Sequence, residues 1–478
     1  MLTCLRRCHI HVIRIEFVCM KTVLPVNLPL SDRQFRHALC TGHGRALQHV
    51  QQYGSVGLDE AIIDAVVHCR VWDPQCEPGR GDWLVEILNA ADLCQPAINA
   101  IREVCHDPVD TDNFFDRDQQ CAVAGKLAKP GGFPDARDLL YGMFGPAEDS
   151  ADVLGLEAII DLDGQAGLVF VCRELGRLLA DDLSACVDEE PLALFDNRFG
   201  EGEARKVLET KAREDHDIWR YVQTLRCDEE RPHSSGYRKI PADMDLDRWP
   251  SRSTTVEKLS GAEVVSLVRS GADEQSVDGL VAWGRKASTA DLEVVLEAIL
   301  AEQDVVGTGR LLRCFTRRGF PRFDERMMAL LGIEEELIRH RTVTGMSRLN
   351  DQRVRRLAMQ RLAAGFSRDG LRLLRANFKP SDVRVLEQVL HSLPDPNENH
   401  WMIKDLLELL EENRLAEGAG QLLLFAYEHT PCMLSREDSV KLLLRSGAAP
   451  DWVLEECRFD GSPHIRDIVI GKSKRRSP

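Results

Sequence analysis

The chain has 478 residues, 44% hydrophobic and 29% charged, with a formal net charge of −16. These proportions are those of globular protein and exclude a generally disordered chain, a collagen-like repeat and a small disulfide scaffold. Aromatic residues make up 6%, too few for an all-β protein, and the length suits either about three domains or one long array.

In chain order, the first stretch, MLTCLRRCHIHVIRIEFVC, is broken by Arg14 and Glu16. It has no apolar run long enough to span a bilayer and no small-residue cleavage site. Residues 1–19 are expected to be a non-native or disordered extension, with Met20 the true start. Ser31 and Gln34 make a capping-box signal, after which Phe35, Leu39, Leu47 and Val50 share one helical face. Further amphipathic helices are expected over 58–70, around Trp83–Leu88, around Ala97–Val104, and over 135–144, 153–162 and 168–179. Short breakers separate them, including Asp73-Pro74, Pro130-Gly131-Gly132 and Gly145-Pro146. Nothing alternates with a period of two, so few or no strands are expected.

Residues 228–254 are polar, contain three prolines and show no apolar period. They read as a linker between an acidic helical half, 20–227, and a second helical half, 255–470, with a basic tail at 471–478. In the second half, helices are expected over 276–287, 291–301, 308–318, 351–363, 368–377, 382–390, 400–412 and 435–446. The segments VVSLVRSGA (264–272) and VKLLLRSGA (440–448) match each other, and Gly271 and Gly447 suit left-handed helix caps.

A smaller pattern recurs three times: Asp351-Gln352-Arg353-Val354-Arg355, Pro380-Ser381-Asp382-Val383-Arg384 and Asp460-Gly461-Ser462-Pro463-His464-Ile465-Arg466. Each sets Asp or Pro in a turn, then Val/Ile-Arg at the start of an amphipathic helix. This resembles the HEAT repeat, most clearly over residues 350–470. The resemblance implies an all-α fold, an α-solenoid of stacked helical hairpins of the HEAT or armadillo kind, in two halves joined by a long loop. It further implies that the turn Asp and the Arg that follows link neighbouring repeats. A degenerate repeat of this kind names a fold and no activity.

The charge is uneven. Residues 1–254 carry 28 basic and 43 acidic side chains, residues 255–478 carry 33 and 34, and residues 310–384 carry 18 and 8. Three expected helices there bear arginine rows: Arg310, Arg313 and Arg317; Arg353 and Arg356; and Arg368, Arg372 and Arg375. Placed side by side, these rows would form a groove for an acidic peptide or for phosphates. Two other clusters are rich in functional side chains. One is His37, Cys40, His43 and His49 with His68, Cys69 and Cys76, whose spacing of three could serve a metal. The other is HCRVWDPQCEPGRGDW at 68–83, which concentrates Asp73, Arg80 and Asp82 with two tryptophans.

No phosphate-loop, HExxH or GxSxG motif is present, so no catalytic residue, cofactor or metal is assigned. The 15 cysteines include no CxxC pair and suit reduced thiols in a cytoplasmic protein. The expected function is a non-catalytic scaffold that binds a protein partner on a concave face, without a membrane. The alternatives are nucleic-acid or polyanion binding through the arginines, and a HEAT-like enzyme with a cleft near 68–83.

Overall fold

The computed structural model describes residues 25–77, 79–106, 113–147, 152–181, 187–229, 256–270, 279–301, 304–365, 367–391, 400–413 and 418–476. The expected extension at 1–19, most of the expected 228–254 linker and Gly271 lie outside them. The described chain is all-α, with 26 helices. One small exception is an antiparallel pair of two-residue strands, Gly145–Pro146 with Val153–Leu154. No described helix is long and apolar enough to cross a membrane.

By its contacts the chain forms two compact units. One holds residues 25–258, 397–407 and 426–478, and the other holds 259–396 and 408–425. The sequence placed 426–470 with the second half. Contacts place it with the first helices instead, because its polar groups are met there, as described below.

In the first of these units, helices Asp32–Thr41, Asp59–Val67, Cys94–Val104 and Pro134–Met143 pack in succession. Arg45–Tyr53, Gly81–Ala91, Phe114–Leu127 and Leu156–Asp163 do the same. Alternate helices thus share a layer, and each buries one apolar stripe against its neighbours. Ser31 does close a capping box with Gln34. The single helix expected across Phe35–Val50 is instead two, broken at Gly42, whose φ of 78° ends the first. All four of its apolar residues are nevertheless buried.

One apolar cluster runs from Leu30 to Leu139 and a second from Cys121 to Leu225. Helix Phe114–Leu127 serves both, giving Val123 and Leu127 to the first and Cys121 and Ala124 to the second. The sequence pattern offers no helix there, because Arg117, Gln119 and Gln120 interrupt the stripe and are themselves buried. Their burial has a purpose. The Gln119 amide donates to the carbonyls of Ala65 and Val66 at 3.0 Å, and Gln120 donates to that of Val67 at 2.7 Å. These are carbonyls in the last turn of helix Asp59–Val67, which lack partners within their own helix.

In the other unit, helices Val305–Leu312, Glu336–Ser347 and Arg368–Leu374 pack in succession, and Gln352–Ala363 packs against Arg368–Leu374. The expected helices over 308–318 and 368–377 each tighten into a 3-10 turn, at Arg313–Phe315 and Arg375–Asn377. Two of the three turns are joined directly. Arg355, which follows Val354, donates through both terminal nitrogens to Asp382, which precedes Val383, at 2.6 Å each. It also donates to the Asn377 carbonyl at 2.7 Å. Asp382 is 2% exposed, so this pair joins one hairpin to the next out of water. Replacing Asp382 with Ala strands the guanidinium and is expected to cost about 2–3 kcal/mol, read as a lowered urea midpoint. A loss of under about half a kcal/mol would show that the pair does not hold the hairpins together.

Candidate functional site

Two places concentrate charge. The first is a cationic layer in the 259–396 unit. Arg310 and Arg313 lie half-buried at the end of helix Val305–Leu312 and in the 3-10 turn that follows. Arg368 and Arg372 lie half-buried on helix Arg368–Leu374. Between these two helices stands Glu336–Ser347, with Arg339, His340 and Arg341. The Arg372 Nη1 is 2.8 Å from His340 Nδ1, and Arg341 donates to the Gly309 carbonyl. Burial lowers the Arg341 pKa, and the neighbouring Arg313 lowers it further. Arg313 and Arg341, on neighbouring elements, therefore feel each other's charge.

Sequence reasoning passes over the central helix. Its buried face includes Thr342, Gly345 and Ser347 beside Ile338, Val343 and Met346, so no clean apolar stripe marks it. The surviving signal is the basic excess over 310–384, which counts Arg339 and Arg341.

The other arginines are placed differently. Arg353 and Arg356 are exposed on Gln352–Ala363, the hairpin partner of Arg368–Leu374, and do not lie between the other two rows. Arg353 is held by Asp351 at 2.8 Å and lies 4.2 Å over the Phe323 ring. Arg317 is exposed in the turn after the first row. Arg375 is neutralised by Glu408 at 3.0 Å and by Glu412. Burial acts to raise the Glu412 carboxyl, but the hydrogen bond and charge of Arg375 hold it below the ordinary value. The structure thus brings together the rows of 310–313 and 368–372 through a helix not foreseen, and leaves the 353–356 pair and Arg375 outside.

The second place is a buried charge cluster in the unit of 25–258, where the segment 426–466 meets residues 39–86. Arg436 and Asp460 are both fully buried and paired at 3.0 Å. Arg436 also donates to the carbonyls of Thr41 at 2.7 Å and Gly42 at 3.3 Å. Arg45 is chelated by both oxygens of Glu428 at 2.7 Å and by Glu456 at 2.8 Å. Burial acts to lower the Arg45 pKa, but Glu456 and Glu428 hold it well above its ordinary value.

Backbone groups add to this. Glu77 accepts from the Met433 N–H at 2.9 Å, the Trp83 indole donates to the Phe459 carbonyl at 2.9 Å, and Gly461 N–H donates to the Gly42 carbonyl at 2.8 Å. Arg466 pairs with Glu86 at 2.8 Å. Gly44 must be glycine, since a Cβ there would lie 2.0 Å from the Glu456 carbonyl oxygen. The segment also ends its first helix as expected, with Gly447 left-handed at φ 70°.

The two sequence clusters rich in functional side chains fall partly in this place. From the 68–83 stretch, Glu77, Arg80 and Trp83 are buried, while Trp72, Cys76 and Asp82 face solvent. Arg80 donates to the Cys40 carbonyl at 2.6 Å, but among the described residues its Nε and Nη2 have no acceptor. Burial and the nearby Arg436 bring its pKa down to about 10. From the His/Cys group, His43 lies 2.7 Å from Thr41 Oγ1 and 3.2 Å from the Tyr427 carbonyl. His49 accepts from the Leu30 N–H at 2.9 Å, and His68 pairs with Asp64. Among the described residues no group of three or more His, Cys, Asp or Glu is arranged to hold a metal. A surface cavity of about 420 Å³ lies elsewhere, lined by Arg102, Cys105, His106, Asp135 and Asp138.

These features define an all-α protein of short helices, each packed against its neighbours. No protein-family model, curated protein or solved structure matches the chain.

Proposed function

We propose that the chain is a non-catalytic, HEAT-like helical-repeat scaffold of the cytoplasm, and that its cationic layer receives an acidic segment of a protein partner. The observation that carries this reading is the crowding of Arg313 against Arg341, with Arg372 beside His340 on the next helix in the layer. An excess of guanidinium over carboxylate, 18 basic against 8 acidic side chains over 310–384, raises a local positive potential that a run of carboxylates relieves. These cationic side chains lie on successive packed elements, which suits an extended chain more than a small molecule.

A protein partner is favoured over nucleic acid for one reason. Of the aromatic rings close in sequence to these arginines, Phe315, Phe320 and Phe323 are 0%, 3% and 8% exposed and offer no face for stacking bases, and Phe378 is half-buried.

The test uses the full chain with Arg310, Arg313 and Arg372 changed together to Glu, its fold checked by circular dichroism. Fluorescent oligoglutamate and single-stranded DNA are titrated at two salt concentrations. The expected result is salt-sensitive oligoglutamate binding, weakened on the order of tenfold or more by the triple change. Tighter binding of DNA would transfer the reading to nucleic acid, and failure of both probes to bind would overturn it.

A further inference from the structure

We propose that the docking of segment 426–466 onto residues 39–86 is a closure that acid loosens, with His43 as the group that takes the proton. The contact is buried yet largely polar. Among the described residues, the apolar cluster of the first helices draws on Phe459 alone from this segment. The contact also carries the Arg45, Arg436, Glu77, Trp83 and Arg466 hydrogen bonds described above. Such a contact depends on matched charge more than on apolar area, so an added charge inside it is costly.

His43 is 1% exposed at the centre of this contact, its ring edge-on to Tyr427 at 5.3 Å. In the neutral ring, Nε2–H donates to the Tyr427 carbonyl and Nδ1 accepts from the Thr41 hydroxyl. That hydroxyl is also 2.8 Å from the His37 carbonyl. On protonation Nδ1–H can donate to Thr41 while the hydroxyl turns to His37, so both charge states find hydrogen bonds. The obstacle to protonation is therefore electrostatic. From its own strand of chain His43 faces His37 and Arg45. Tyr427 and Glu428 face this region from helix Gly420–His429, Arg436 from Met433–Ser446, and Glu456 and Cys457 from Asp451–Cys457, with Asp460 in the turn beyond. Burial first, then Arg436 and Arg45, depress the His43 pKa well below its ordinary value. His37 is depressed in the same sense, mainly by burial.

The sign follows from linkage. The docked state binds fewer protons than an open state whose histidines are in water. Docking is therefore at full strength above about pH 6.5 and is lost as pH falls below it. Each histidine multiplies the open population by about tenfold per pH unit in that range. Glu456 acts in the opposite sense, since burial raises its pKa against the pull of Arg45. A His43 variant separates the two contributions.

The experiment is hydrogen exchange of the full chain between about pH 7 and about pH 5, corrected for intrinsic rates. Wild type and His43→Gln are compared, because Gln can donate and accept but cannot charge. Peptides covering 433–466 are expected to open more steeply with acid than peptides covering 156–225, and His43→Gln is expected to remove about one tenfold step per pH unit. Equal opening of both regions, no opening, or an unchanged slope in the variant would each overturn the proposal. Should the variant not fold, the wild-type His43 ring signal decides by proton NMR. A ring titrating near pH 6.5 in the closed protein also overturns it.

Discussion

Arg436→Met is expected to lower the stability of the 25–258 unit by about 3–5 kcal/mol, the cost of leaving a buried charge without its partner. Arg436 and Asp460 are each fully shielded from solvent, so water cannot replace the lost guanidinium. Asp460 keeps the Ser462 N–H at 2.8 Å, which is too little to hold a carboxylate in the interior. The carbonyls of Thr41 and Gly42 lose a donor in the same stroke. Urea unfolding followed by circular dichroism measures the loss. The double change Arg436→Met with Asp460→Leu is expected to recover part of it, because replacing both partners removes the stranded charge. A single-variant loss under about 1 kcal/mol would mean that the pair does not anchor the segment.

Trp83→Ala has a comparable expected cost, about 3–5 kcal/mol, for a different reason. Trp83 is 2% exposed and belongs to the apolar cluster of the first helices, so truncation opens a cavity that short helices cannot close. Its indole N–H also serves the Phe459 carbonyl. Trp83→Phe keeps most of the packing and loses that bond, and about 1–2 kcal/mol is expected from it. The difference between the two variants in urea unfolding separates packing from hydrogen bonding. Equal losses would show that the hydrogen bond, and not ring volume, dominates.

Much of the local structure was legible in single residues. The capping box at Ser31 and the left-handed Gly447 are short-range features, set by neighbours within two turns. The Asp-led turns and their arginines also marked a real linkage, Arg355 to Asp382. The same spacing gave no hint that Asp460 would bind Arg436, since nothing near either residue identifies the other.

Helices Phe114–Leu127 and Glu336–Ser347 show the limit from the other side. Each buries polar residues whose value arises only when another helix arrives. Gln119 and Gln120 look like surface side chains until the carbonyls of Ala65, Val66 and Val67 are placed beside them. The candidate cationic layer was half legible for the same reason. The excess of arginine over 310–384 was countable, but the helix between the two rows was hidden by its mixed inner face.

The sequence by itself determined an all-α chain of short amphipathic helices, because apolar period, caps and turn residues act over a few residues. Tertiary structure alone decided that residues 426–478 join the first helices and that Arg353 stands apart from Arg313. It also decided that His43 lies buried among arginines. The first and last of those outcomes depend on charges and carbonyls hundreds of residues apart, whose pairing becomes favourable only once water has been excluded between them.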